Sequence, residues 1–187
     1  GWADISRIVT HPAVEPVAFC DIDKRHFVHV DKRWPDLPKF SDFRELFRQM
    51  KGKVDAVSIG IPDHSHAIVT QAALNAGLHV YCEKPLTHTV WEARQIAATA
   101  KEAGTVTRMG NQIHSEYQYR AIKPVVQEIG AIGKIKEVHS WISAAGHGRS
   151  GLIERPENPE SAPAEVDWEQ WTGPAPKREY GGDYVYH

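Results

Sequence analysis

Cysteine, long apolar runs and an excess of charge of either sign are what this chain of 187 residues lacks. Two cysteines are too few for a disulfide scaffold. Lys and Arg total 22 against 24 Asp and Glu, for a net charge of −2. Binding to nucleic acid or to an anionic membrane as a general role needs a basic excess, so neither is expected. No apolar run approaches the roughly 20 residues that cross a bilayer. The sequence opens on Gly1 without a methionine or a signal peptide, and its true start is expected upstream. A cytoplasmic location is favoured, with an export signal before Gly1 left open. What is present, 41% apolar and 25% charged residues, is ordinary globular composition. It suffices for one full core, or one core and part of another.

Between residues 12 and 110, short apolar runs alternate with helical stretches. Residues 15–20 (EPVAFC), 54–60 (VDAVSIG), 78–82 (LHVYC) and 105–109 (TVTRM) read as strands. Their nearly continuous apolar character suits a parallel sheet covered on both faces. Ser41 and Asp42 precede Phe43, Leu46, Phe47 and Met50, with Glu45 three residues after Asp42 as in a capping box. Ser65 can cap a helix running to Ala76, and Gly77 follows where a left-handed terminus is wanted. Thr89 and Glu92 repeat the capping-box pattern, and Gly104 ends that helix. Ala93, Ile96, Ala97, Ala100 and Ala103 form its expected buried stripe. Strand and helix alternating at this spacing predict a doubly wound α/β domain over residues 1–112.

The character then changes. Residues 115–128 predict a linking helix that Pro124 must kink or shorten. Residues 135–143 (IKEVHSWIS) alternate like an antiparallel strand. Residues 145–187 are rich in Gly, Pro and Trp, and so long a loop is foreign to a compact domain. Residues 113–187 are therefore assigned to the linking helix and the truncated start of an α+β domain with an antiparallel sheet. Trp168, Trp171 and Tyr180 could stack on a ligand there, although core packing is the commoner fate of such rings. Cys20 and Cys82 end different strands, three apart in a Rossmann order, or roughly 14 Å. A bridged pair needs Cα atoms within about 7 Å, so two reduced, buried thiols are expected.

Four places carry chemistry. Asp21 ends the strand before it, where dinucleotide-binding domains hold an acid about 20 residues past their glycine-rich turn, if Gly1 is the last glycine of that turn. Its carboxylate would accept from ribose hydroxyls and repel a 2′-phosphate, favouring NAD over NADP. Lys24 and Arg25 could contact a phosphate and weaken that preference, and a solvated turn explains the same residues equally well. Glu83-Lys84-Pro85 leaves an apolar strand at the sheet edge where α/β proteins bind ligands. A desolvated Lys84 could donate to a hydroxyl or carbonyl oxygen and help move a proton, whereas on the surface it would form only a weak ion pair. Pro62-Asp63-His64-Ser65-His66 leaves another strand at the same edge. Its H-x-H spacing has no third ligand nearby, so no metal is expected, and His66 reads as packing or facing a cofactor. Asn111 and Gln112 end the last strand, where their amides could meet a ligand or satisfy a turn.

Taken together, VSIGIPDHSHAIVTQAALNAGLHVYCEKPLTHTVWEARQIAATAKEAG resembles the Gfo/Idh/MocA oxidoreductases, with their P-D-x-x-H turn and E-K-P motif. The likeness extends from Gly1 to about Trp171, where DWEQWTGPAP is similar to the segment before their substrate-domain core. It implies an N-terminal Rossmann domain for NAD(P) and a C-terminal α/β domain with a large open antiparallel sheet. By it, Asp21 would hold the adenosine ribose, Pro62 and His66 would line the dinucleotide, and Glu83 and Lys84 would sit by the nicotinamide, with Lys84 in the catalytic relay. The first strand and most of the glycine-rich turn are missing from this pattern. The relay partners, an Asp and a His, would lie beyond His187. By itself the 187-residue chain is therefore expected to fold poorly and not to turn over substrate.

The expected activity is hydride transfer between a nicotinamide and a sugar or cyclic polyol, in a homo-oligomeric whole protein. Two alternatives stand beside it. One is an NAD-retaining, redox-assisted glycoside hydrolase or lyase on the same fold, and the other a non-catalytic NAD or sugar sensor. Lys84 in its E-K-P setting argues against the sensor, which needs no proton shuttle.

Overall fold

A computed structural model of the protein describes residues 1–141 and 160–181. Two compact units result: Gly1–Gly110 with Ser161–Tyr180, and a second that begins at Asn111. The first unit opens with α1 (Trp2–Ile8), followed by β1 (Phe19–Cys20), α2 (Val28–Arg33), β2 (Lys39–Phe40) and α3 (Phe43–Gln49). It continues through β3 (Ala56–Ile59), α4 (His66–Asn75), β4 (His79–Glu83), α5 (Val90–Ala103) and β5 (Thr107–Gly110). The second unit contains α6 (Tyr117–Gln127), and the short α7 (Trp168–Thr172) belongs again to the first.

Among the described residues, the paired strands all run parallel. Phe19 lies opposite Lys39 in one sheet, while Ile59 lies opposite Cys82, and Glu83 opposite Gly110, in the other. The orders are β1-β2 and β3-β4-β5. They match the 3-2 and 4-5-6 portions of the doubly wound order. The fold is the α/β Rossmann class that the alternating pattern predicts. Strand β1 is shorter than residues 15–20 because its partner is short. The Phe19 N–H reaches the Pro38 carbonyl and the Asp21 N–H the Phe40 carbonyl, but Pro38 has no N–H with which to continue the ladder.

The core forms where β3 and β4 meet α4 and α5. Ile59, Val80 and Cys82 pack against Ala67, Val69, Ala73, Leu74 and Ile96. Each aliphatic side chain of Val, Leu or Ile size buried there stabilises the unit by roughly 1.5–3 kcal/mol. Helix α5 begins with a complete capping box between Thr89 and Glu92. Its stripe is narrower than expected: Ile96 is buried, Ala93 and Ala100 are half-buried, and Ala97 and Ala103 are exposed. A hollow of about 210 Å³ between α5, β4 and β5 leaves Ala97 without close neighbours on that side. Asp42 caps α3 by accepting the Arg44 N–H. Ser65 precedes α4 without capping it through its side chain, because a 3₁₀ turn over Asp63–Ser65 leads into the helix instead.

Residues 113–187 are expected from the sequence to leave the first domain, yet Ser161–Tyr180 lies with the first unit. The reason is backbone pairing just beyond β1. The Lys24 N–H donates to Glu165, the Asp167 N–H donates to Ile22, and Asp23 bridges antiparallel to Val166. Trp168 stacks on Trp171 at 4.6 Å and takes Tyr180 edge-on at 5.1 Å, so these rings pack on one another. In the second unit, α6 passes through Pro124 and buries none of its residues. The expected strand over 135–143 is absent from 135–141, and positions 142 and 143 lie outside the described residues. Alternation alone does not make a strand, and this one has no partner edge among the described residues. Cys20 is half-buried and Cys82 buried, both as free thiols. Burial, with Asp21 and Asp42 adding to it, pushes the Cys20 thiol up to about 12. Among the described residues no helix is long and apolar enough to cross a membrane.

Candidate functional site

Within each sheet, parallel strands bring their carboxyl ends to one edge, and the residues singled out in the sequence follow strand ends. Asp21 follows β1. One of its carboxylate oxygens accepts the Asp23 N–H at 2.9 Å and the other meets His26 Nδ1 at 2.9 Å. Two residues on, Asp23 is buried and gripped by Arg25 through Nε at 2.8 Å and Nη2 at 2.6 Å. That guanidinium holds the Asp23 carboxyl below its usual range. Arg25, counted in the sequence as a possible phosphate contact, is thus tied to its neighbour.

At the end of β3, Gly60 stands against the start of α1. A Cβ on Gly60 would lie 2.5 Å from the Gly1 nitrogen and 3.1 Å from its Cα. Only glycine lets these two stretches of bare backbone meet. The turn that follows carries Pro62, half-buried, and two histidines that face different partners. His64 Nε2 donates to the Trp171 carbonyl at 2.6 Å, and the two rings lie 5.0 Å apart. His66 is 1% exposed, with Nδ1 2.6 Å from the Pro85 oxygen and Nε2 2.8 Å from the Ile61 oxygen. Both ring nitrogens thus engage the carbonyls of two turns. Among the described residues no group of three His, Cys, Asp or Glu side chains could hold a metal ion.

At the end of β4, Tyr81 and Glu83 share a face because side chains alternate along a strand. The Tyr81 hydroxyl donates to Glu83 Oε1 at 3.0 Å. Burial first, and then that carboxylate, pushes the Tyr81 hydroxyl up to about 12. The pair leans against Gly110 on β5, where an added Cβ would come within 2.7 Å of Glu83 Cδ and 2.8 Å of the Tyr81 oxygen. The Gly110→Ala variant is therefore expected to push the Glu83 carboxylate off Tyr81. Both obstacles are flexible side-chain ends, so stability should change by less than about 1 kcal/mol. Tyrosine absorbance during alkaline titration should show one hydroxyl titrating lower than in the wild type, with burial still holding it above its free value. An unchanged titration would refute the arrangement.

Lys84 lies one residue past β4 and is exposed. The desolvation invoked for it from sequence is not supplied by this unit, because the strand ends at Glu83 and the chain has already turned outward. Asn111 and Gln112 belong to the second unit. There the Asn111 carbonyl accepts the His114 N–H within a 3₁₀ turn over Gln112–Ser115. The Tyr81–Glu83 pair, its contact with Gly110 and the tie between Glu165 and Lys24 are not evident in the sequence. The one signal for the first is the i, i+2 spacing of Tyr81 and Glu83. The other two depend on register and on contacts between distant segments.

A family model described as an oxidoreductase family with an NAD-binding Rossmann fold matches residues 3–111. The chain belongs to this family, Gfo/Idh/MocA. It is 35% identical over 106 residues to the 1,5-anhydro-D-fructose reductase of Ensifer adhaerens, covering 56% of this chain and 32% of that protein. It is 33% identical over 132 residues to the inositol 2-dehydrogenase of Salmonella typhimurium, covering 70% and 38% respectively. Among solved structures, the myo-inositol 2-dehydrogenase of Lactobacillus plantarum superposes with a TM-score of 0.64 at 25% identity, covering 72% of this chain and 41% of that one. The chain thus spans about a third of the length of the curated relatives it matches.

Proposed function

We propose that the whole protein is an NAD-dependent dehydrogenase acting on a hydroxyl of a sugar or cyclic polyol. The observation that supports this reading is that Asp21 directly follows β1 and Lys84 directly follows β4, each at the carboxyl end of a parallel strand in a chain of this family. The residues present fit a dinucleotide. Gly60 and Gly1 keep backbone bare at the crossing point, and Asp21 brings carboxylate oxygens that can accept from ribose hydroxyls. Pro62, Glu83 and Lys84 would border the nicotinamide, with Asn111 and Gln112 following where the chain leaves β5. A bound nicotinamide supplies a hydride donor or acceptor.

Lys84 is the group that would hold or move the hydroxyl proton, while the adjoining Glu83 carboxylate is steadied by the Tyr81 hydroxyl. The residues from 113 onward would lead into the substrate-binding part. The names of the two curated relatives, a sugar reductase and an inositol dehydrogenase, favour a polyhydroxylated substrate. Incubation of the whole protein with NAD and a panel of inositols and sugars tests the reading through absorbance at 340 nm. Absence of any change across the panel would overturn it. Cleavage of a nitrophenyl glycoside without net NADH would move the reaction to a glycoside-cleaving chemistry.

The preference for NAD rests on Asp21, whose charge would face a 2′-phosphate, while Arg25 is committed to Asp23. Asp21→Ser is expected to shift the kcat/KM ratio toward NADP by roughly tenfold or more, since a like-charge clash costs several kcal/mol. An unchanged ratio would show that another group reads that ribose.

A further inference from the structure

We infer that His66 is a positioning residue: a doubly protonated imidazolium whose two N–H groups clamp the Ile61-Pro62 turn to the Lys84-Pro85 turn and so fix where Lys84 stands. The inference rests on the dehydrogenase reading for Lys84, but the clamp itself can be observed without it.

A backbone carbonyl can only accept, and a neutral imidazole carries only one N–H. His66 presents Nδ1 to the Pro85 oxygen at 2.6 Å and Nε2 to the Ile61 oxygen at 2.8 Å. Were the ring neutral, one of these short contacts would set lone pair against lone pair at a site 1% exposed, where no water relieves it. With both nitrogens protonated, both contacts are charge-assisted hydrogen bonds.

The surroundings divide for and against the charge. Burial and the first turn of α4, which begins at His66, both disfavour it. The Cys82 side chain on β4 favours it first, and the Pro85 and Ile61 carbonyls after it, and the balance carries the ring up to about 9. Strand β3 contributes no ionisable side chain to this neighbourhood. On the adjoining turn His64 is spent on Trp171 and Asp63 is exposed, while Glu92 of α5 is occupied at the N–H groups of His88 and Thr89. The ring's hydrogen-bond partners are thus two backbone carbonyls, with the Cys82 side chain rather than a carboxylate beside it. Its two bonds join one residue before Pro62 to one residue after Lys84, the two turns that would flank the nicotinamide.

The test uses the whole protein. Nitrogen-15 NMR of the His66 ring at pH 7 should show both nitrogens protonated, and both should titrate together above pH 8. A ring with one protonated nitrogen, or one that titrates near 6.5, would sink the clamp. His66→Gln places both N–H groups on one nitrogen and cannot span two opposed carbonyls. It should lower kcat by roughly 10-fold to 100-fold through misplacement of Lys84. The KM for NAD should stay within about threefold, and the fall in kcat above pH 8 should vanish from its pH profile. If Lys84→Met leaves turnover intact, the dehydrogenase role of Lys84 fails while the NMR result on His66 stands or falls separately. If Lys84→Met abolishes turnover but His66→Gln changes neither kcat nor its pH profile, the positioning role fails. Should the Gln variant not fold, the spectrum of the wild-type ring decides.

Discussion

Replacing Lys84 by Met in the whole protein is expected to lower kcat by about 10²-fold to 10⁴-fold, the range typical for loss of a positioned proton-transfer group. Methionine keeps most of the methylene length and removes only the ammonium. Lys84 lies in an exposed turn beyond the last residue of β4 and is not part of the core cluster, so its loss leaves the packing of Ile59, Val80 and Leu74 untouched. Cofactor affinity should stay within a few-fold, because in the proposed enzyme Asp21 would hold the adenosine ribose away from Lys84. Single-turnover hydride transfer, followed at 340 nm with the cofactor saturating, isolates the step. A rate within threefold of wild type would remove Lys84 from the chemistry.

Stability should also decline in mild alkali. The folded His66 ring keeps its proton up to about 9, above the 6.5 expected of an unfolded histidine. A raised value in the folded state adds stability that is fully present below 6.5 and is lost as pH climbs through 9. The shift corresponds to something on the order of 3 kcal/mol. Urea unfolding at pH 6 and at pH 10 measures it. In a His66→Leu variant the two midpoints should move much closer together, and a wild-type protein equally stable at both pH values would refute the buried cation.

The parts of this molecule that were legible in its sequence are those governed by local rules. Thr89 and Glu92 announce the start of α5, and the apolar runs of β3, β4 and β5 announce a parallel sheet. Helix α2 (VHVDKR) escaped because its two valines favour extended backbone, and β2 because two residues carry no pattern. Asp21, Pro62 and Lys84 were recognisable because each follows an apolar strand at a fixed distance. The burial of His66 was not, since it depends on carbonyls at Ile61 and Pro85 whose meeting place is set by tertiary packing. The 135–141 stretch shows the opposite error, a pattern of alternation that finds no neighbour to pair with.

The short ladder between β1 and β2 has a consequence for motion. Two residues on each strand hold that sheet, and of the fully buried apolar cluster none comes from β1 or β2. The β3-α4-β4-α5-β5 portion therefore behaves as the late-opening foldon, and the β1-β2 portion as the early one. Backbone amides around Asp21 should exchange with solvent well before those of β4. In the proposed enzyme the adenosine end of the cofactor would thus be held by the yielding half of the domain, and the nicotinamide end by the rigid half.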